Sequence, residues 1–365
     1  MRKILSVLLL VCLLLPMTAS AEEKLPRLEF PAANYVGYMG YDFFMQMQVR
    51  NAGRLSQAIT LELRDQNGRV WASKSFRPGT TSLSFKVALD ETFLGGYDLT
   101  VWCGDTQVSS DSAYVAVTDK HRKAVVSVDT DQPYMSISFD CAYIETPTDE
   151  LLALLDELNI KATFFMTGEF VLNFPESARK IRDAGHEIGC HSLSHPHLLD
   201  YHLDMRFKQV RRNVQIIRDT LGVNPRLFRP PFGEFDATIS APARAEGMEI
   251  CLWSIDSKDW DWDYSAERVL QRVTKNAGPG TIVLFHLDGY HTLEVVPQAV
   301  KYFREELGLE LVPITELMAM GGLELPDCPY EEDAAEEPLA DEAAPEENIG
   351  DTVEAPAADT EAVPA

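Results

Sequence analysis

The chain of 365 residues has few cysteines, few basic residues and no apolar run long enough to cross a bilayer. Of its six cysteines, Cys12 sits inside an N-terminal apolar run, and Cys103, Cys141, Cys190, Cys251 and Cys328 are widely spaced with no CxxC pair. An odd, scattered set excludes a disulfide framework and a paired-cysteine zinc site, and it leaves at least one free thiol. Lys and Arg number 32 against 57 Asp and Glu, a formal net charge of −25. A chain this short of positive charge lacks the basic patch that holds a phosphate backbone or steers a protein onto anionic lipid. Nucleic acid is therefore excluded as an expected partner. The apolar run from Ile4 to Leu15 has about 12 residues, well below the roughly 20 that span a membrane.

That short run has another reading. Arg2 and Lys3 precede it, and Pro16 and Ala19-Ser20-Ala21 follow it. Basic start, brief apolar core and A-x-A ending predict a secretory signal over residues 1–21, cleaved after Ala21. The mature protein is then expected outside the cytoplasmic membrane, secreted and associated with the cell envelope, with no membrane insertion after cleavage. At the other end, residues 327–365 hold fourteen acidic residues and no Lys or Arg, among many Ala and Pro. Such a segment has too little apolar surface to offset its ordering entropy, so a disordered acidic tail is expected. With the signal's two basic residues also set aside, residues 22–326 carry −13, so about half of the imbalance belongs to the tail. Nothing in the sequence speaks to oligomeric state.

Between these ends the hydrophobic rhythm changes once. From 26 to 118 it has a period of two: Phe43, Met45, Met47 and Val49 alternate with Phe44, Gln46, Gln48 and Arg50. Ile59, Leu61 and Leu63, then Leu83, Phe85 and Val87, and then Tyr97, Leu99 and Val101 repeat it, with turn signals such as Gln66-Asn67-Gly68 between. Short alternating strands at this spacing predict a small all-β sandwich of immunoglobulin-like type. From 134 to 320 the pattern becomes strand, helix, strand. Met135–Phe139 is strand-like, Leu151, Leu154, Leu155 and Leu158 form a helical stripe, and 203–221 is a long amphipathic helix. This alternation predicts a parallel α/β fold, open or barrel-like, in which chemistry collects at the C-terminal ends of the strands.

Those strand ends are where the reactive residues fall. They read Phe139-Asp140, then His191-Ser192-Leu193-Ser194-His195, then Phe228-Arg229-Pro230-Pro231-Phe232-Gly233. Next come Trp253-Ser254-Ile255-Asp256-Ser257-Lys258-Asp259-Trp260 and Leu284-Phe285-His286. Two histidines four apart share one face if the segment is helical, and neutral imidazole suits zinc and other divalent transition metals.

Taken in order, the five segments resemble the motifs of the polysaccharide deacetylase family, the NodB-homology domains of carbohydrate esterase family four. The resemblance implies a distorted (β/α) barrel of the NodB type over 134–320. It also implies a divalent metal, most simply zinc with cobalt or manganese as options, bound by His191 and His195. It casts Asp140 as general base, His286 as general acid and Arg229 as the residue that orients the base. The backbone N–H of Phe232 corresponds to an oxyanion donor, and Trp260 and Leu284 to walls of an acetyl pocket. Asp256 and Asp259 would hold polar partners such as Arg229 or His286. The implied activity is hydrolysis of N-acetyl groups on an amino-sugar polymer, peptidoglycan or a related envelope glycan. A catalytically inactive glycan binder and an O-acetyl esterase acting on polysaccharide are the alternatives.

One position departs from the pattern. The family's first motif usually reads T-F-D-D-G, and its second aspartate binds the metal, whereas this chain reads Ser138-Phe139-Asp140-Cys141-Ala142-Tyr143. First motifs of the form F-D-x-A-[WY] also occur in the family. Four outcomes are open: Asp140 takes the metal itself, Glu145 or Asp149 substitutes, Cys141 binds as a thiolate, or metal binding is lost.

Overall fold

The computed structural model describes residues 27–50, 52–54, 56–107 and 113–330. The expected signal segment and nearly all of the acidic tail lie outside these residues. Residues 27–118 form β1 (Arg27–Glu29), β2 (Asn34–Tyr38), β3 (Asp42–Arg50), β4 (Ile59–Arg64), β5 (Val70–Phe76), β6 (Ser82–Ala88), β7 (Gly95–Cys103), β8 (Thr106–Gln107) and β9 (Ala113–Thr118). One sheet has the order β1-β3-β6, and a second has the order β2-β9-β7-β4-β5 with β8 paired to β7. Alternation along each strand decides which face is buried. In β3, Phe43, Met45 and Met47 are buried while Phe44 between them is exposed. Leu83 and Phe85 of the first sheet and Leu61, Leu99 and Val115 of the second belong to one apolar core. Within the otherwise antiparallel pairing of these two sheets, β2 lies parallel to β9.

The remaining elements alternate as the sequence pattern predicts. They run β10 (Tyr134–Cys141), α1 (Thr148–Glu157), β11 (Thr163–Met166), α2 (Gly168–Asn173), α3 (Pro175–Asp183), β12 (Glu187–Cys190), α4 (Leu203–Leu221) and β13 (Leu227–Phe228). They continue with α5 (Ala237–Ala245), β14 (Glu249–Ile250), β15 (Ile255–Asp256), α6 (Ala266–Lys275), β16 (Ile282–His286), α7 (Thr292–Glu305), β17 (Glu310–Leu311) and α8 (Ile314–Met320). The parallel sheet has the order β14-β13-β12-β11-β10-β16-β15, with β17 also paired to β10. All of β11, and β10 from Met135 onward, are buried, which explains why these strands read as nearly continuous runs rather than as alternation.

The sheet is a half-barrel rather than a closed barrel, because β14 and β15 are its two ends. The connection from the first region pairs beside β14 and then with the residues that lead into β16. Val125 donates its N–H to Ile250 O at 2.8 Å and accepts from Leu252 N at 2.8 Å, and Val128 N donates to Gly280 O at 2.9 Å. On the other side, Ala116 of β9 packs against Phe207 of α4 and Ala241 and Ala245 of α5. Gly96 permits this approach: a Cβ there would lie 1.8 Å from the Tyr114 hydroxyl and 3.3 Å from Ala245 Cβ.

Candidate active site

The C-terminal ends of β10, β12, β13 and β16 bring the expected residues to one rim. Asp140 and His286 are direct partners in the register between β10 and β16. Arg229, fully buried at the end of β13, reaches across the sheet and donates from Nη1 to Asp140 Oδ1 at 2.7 Å. Its Nη2 donates to Ser138 Oγ at 2.9 Å and to Leu252 O at 3.1 Å, and its guanidinium carbon lies 3.9 Å from the centre of the Phe165 ring. A guanidinium held by so many acceptors cannot swing away. Burial alone would push the Asp140 carboxyl up, but its electrostatic interactions with the His191 ring, the Arg229 guanidinium that also donates to it, and the His286 ring outweigh burial and hold the group below its ordinary value. Of these three, Arg229 is the permanent charge.

His191 follows β12, and its tautomer is set by geometry. Nδ1 lies 2.6 Å from Arg229 O, which can only accept, so Nδ1 carries the proton. Nε2 is buried with no hydrogen-bond partner, and it faces Asp140 Oδ2 at 3.3 Å. Burial pushes the imidazole below its ordinary pKa, which keeps it neutral. His195 is not brought alongside by a helix. Residues 191–195 form a loop with Ser192 and His195 both at positive φ, +67° and +57°. The loop sets the two imidazole centroids 4.9 Å apart. His195 Nδ1 lies 3.0 Å from the Tyr143 hydroxyl, and burial pushes its pKa down to about 3. Among the described residues, no three His, Cys, Asp or Glu side chains converge as a ready metal cluster.

His286 ends β16 and is held by Asp259. Nδ1–H donates to Asp259 Oδ1 at 2.7 Å, and the His286 backbone N–H donates to Oδ2 at 2.8 Å. Ser257 Oγ at 2.9 Å and Thr292 Oγ1 at 2.6 Å complete the shell around this fully buried carboxylate. Gly289 is required here, since a Cβ would stand 2.3 Å from both Asp259 Oδ2 and Thr292 Oγ1. Burial would lower the His286 pKa, but the hydrogen bond to Asp259 and its charge raise it above the ordinary value. With Nδ1 committed, Nε2 is the nitrogen left to exchange a proton.

The other expected residues are placed unevenly. Asp256 holds its own turn, accepting from Lys258 N at 2.9 Å, while Asp259 holds His286. Leu284 is buried on the same strand face as His286, one pleat deeper, and Trp260 is exposed with Lys258 Nζ 4.4 Å from its ring. Phe232, at φ +59°, stacks its ring on His197 at 3.9 Å and also faces His195 at 4.7 Å. Cys141 follows Asp140 and so points to the opposite face of β10. Its Sγ lies 3.9 Å from Phe139 O, and burial, with the charges of Asp140 and Asp288, pushes the thiol well above its ordinary pKa. This arrangement favours the thiol over a ligating thiolate. Glu145 is engaged by Ser177, and Asp149 is paired with Lys180 at 2.7 Å. Ser138, Tyr143 and Thr292 were not expected from the sequence. For Thr292 nothing in the sequence marks it out, whereas Ser138 and Tyr143 lie in the departing first motif.

A parallel half-barrel that gathers a carboxylate, two histidines, an arginine and a carboxylate-held histidine on one rim is the architecture of NodB-type domains. Residues 127–251 match the polysaccharide deacetylase family model. The peptidoglycan-N-acetylmuramic acid deacetylase PdaC of Bacillus subtilis is 30% identical over 192 residues, covering 52% of this chain and 40% of the relative. A peptidoglycan-N-acetylglucosamine deacetylase of Bacillus cereus is 34% identical over 139 residues, covering 38% of this chain and 50% of the relative. The chain thus spans about half the length of these curated relatives. Among solved structures, the Bc1960 peptidoglycan N-acetylglucosamine deacetylase superposes with a TM-score of 0.51 at 27% identity, over 55% of this chain and 94% of that one. The fold is shared too with BA3943, a family pseudoenzyme from Bacillus anthracis, with a TM-score of 0.53 at 23% identity over 62% of this chain and 84% of that one.

Proposed function

We propose that the protein is an exported, metal-dependent deacetylase that hydrolyses N-acetyl groups of an amino-sugar polymer, peptidoglycan or a related envelope glycan. The named activities of the relatives support the substrate class. The observation that carries the chemistry is the pairing on one rim of an ionised, arginine-held carboxylate with a carboxylate-held histidine of raised pKa. Such divergence between two titratable groups separates a base from an acid.

The donor set fits a divalent ion. His191 presents a buried, partnerless Nε2 towards an Asp140 oxygen, and His195 lies beside it. His191 and His195 would hold the ion, zinc first and cobalt or manganese otherwise, with Asp140 Oδ2 beside them as the base and Cys141 left as a protonated core thiol. When bound, a divalent ion supplies Lewis acidity to the acetyl carbonyl and lowers the pKa of a nucleophilic water. In this reading Asp140 accepts the proton of the attacking water while Arg229 keeps its carboxylate aimed and charged. The water oxygen forms the new bond to the carbonyl carbon. His286 then donates from Nε2 to the departing nitrogen as the C–N bond breaks, and acetate and a free amino group leave. In the same reading the Phe232 N–H is the oxyanion donor, and Leu284 and Trp260 wall the acetyl methyl.

Residues 27–118 are read as a separate immunoglobulin-like sandwich, and the two termini as signal and acidic tail. No helix among the described residues is long and apolar enough to cross a membrane. Acetate release from N-acetylglucosamine polymers tests the proposal. Release is expected, abolished by a chelator and restored by zinc, cobalt or manganese. One observation favours a second reading, an inactive glycan binder: Cys141 stands where the family's metal carboxylate usually stands. Glycan binding without metal uptake or acetate release would replace the first reading with the second. Faster release from O-acetylated xylan would instead identify an esterase.

A further inference from the structure

We infer that Tyr143 is a positioning residue that holds His195 in its Nδ1–H form and so makes Nε2 the bare nitrogen offered to an ion. The inference deepens the proposed metal site and rests on His195 being one of its ligands. The Tyr143 hydroxyl lies 3.0 Å from His195 Nδ1, and the two rings meet edge to face at 5.6 Å and 70°. A hydroxyl can donate or accept, so the distance alone does not set the tautomer. The other ring nitrogen does. With Nδ1 engaged by Tyr143, Nε2 is the atom left for an ion, and a neutral imidazole with a bare Nε2 carries its proton on Nδ1. Tyr143 Oη is then the acceptor. His191 has the same arrangement by a different device, with its Nδ1–H given to the Arg229 carbonyl at 2.6 Å.

The tyrosine is itself fixed in place. The loop that carries it is tied at Cys141 O, which accepts from Thr167 N at 3.0 Å, and at Ala142 O, which accepts from Thr167 Oγ1 at 3.3 Å. A tyrosine hydroxyl keeps its proton at neutral pH, so the partner of His195 is a phenol that can accept. The chain thus lacks the usual second carboxylate of the first motif, and two residues further on it supplies a group that orients one of the remaining donors. Partners of this kind set ring orientation and ligand basicity, and removing one weakens metal binding about 10- to 100-fold.

The test compares wild type, Tyr143→Phe and His195→Ala. Long-range proton–nitrogen spectra of the metal-free protein read the His195 tautomer, and calorimetric titration with Zn²⁺ or Co²⁺ reads affinity. Tyr143→Phe keeps the ring at an exposed position, so an unchanged thermal midpoint is expected. The wild type should show Nδ1–H at His195, and Tyr143→Phe should lose that single tautomer and bind metal about 10- to 100-fold more weakly. An Nε2–H tautomer in the wild type, or equal affinities of wild type and Tyr143→Phe, overturns the inference. A wild type with the expected tautomer whose metal affinity equals that of His195→Ala overturns the ligand reading instead and leaves the positioning contact standing.

Discussion

Asp140 and Asp259 are both buried carboxylates on the same rim, and they are saturated to different degrees. Asp259 has Oδ1 engaged by Ser257 and His286 Nδ1, and Oδ2 by the His286 backbone and Thr292. Asp140 has Oδ1 taken by Arg229, while Oδ2 faces a histidine nitrogen that has no hydrogen. A carboxylate with every lone pair engaged is a structural part, and one with an oxygen left over is available for chemistry. The two sides of the site therefore divide the work. The β16 side holds a histidine still, and the β10 side keeps a charged oxygen open.

Substitutions can break this comparison, beginning with the largest effect. Asp140→Asn should lower kcat for acetate release by about 10³-fold or more, within the range for loss of a positioned base, and should also lower bound metal measured by elemental analysis. Chelation should abolish the same activity, and Cys141→Ala should retain metal, because the thiol points away from the rim. Asp259→Asn should cost about 10²-fold and move the pH profile. In the proposed mechanism protonated His286 is the acid, so activity should fall as pH rises through a His286 pKa that Asp259 holds above the ordinary value of about 6.5. Without that carboxylate the alkaline limb should move to lower pH, and an unmoved limb would argue against His286 as the acid.

A smaller effect lies away from the rim, at His186. Burial, with a smaller contribution from Lys161, pushes its pKa down to about 4, and its Nδ1 accepts from Ala162 N at 3.1 Å. The unfolded chain takes up a proton near 6.5, so this stability is complete above that pH and is lost as pH falls towards 4. On the order of 2 kcal/mol should disappear between pH 7 and pH 5, measured from urea midpoints against His186→Gln. Asp256→Asn should change activity least, less than about threefold, since Asp256 engages its own turn and not His286.

Much of this was legible beforehand. Asp140, His191, Arg229 and His286 stand out in the sequence because a parallel fold places its strand ends together. The buried faces of β3 and β4 follow from strict alternation. Asp256 and Asp259 could not be told apart, because residues three apart in a loop carry no face preference, and only the path to His286 separates them. The loop carrying His195 was also illegible, since the spacing of the pair suggests a helix and the backbone instead turns through two positive φ values. Tyr143 could not be seen as a partner of His195, because the contact joins residues whose separation carries no period.

The strap from Val125 to Val128 bears on where the chain can be cut. Its residues supply partners to Ile250 and Leu252 at the end strand β14 and to Gly280 just before β16, although they precede β10 in the sequence. The match to the family model begins at residue 127, inside this strap. A chain trimmed to that limit would lose both hydrogen bonds made by Val125 and expose the edge beside Cys251. The strand-like segment beside β14 is therefore supplied by the connection that precedes β10.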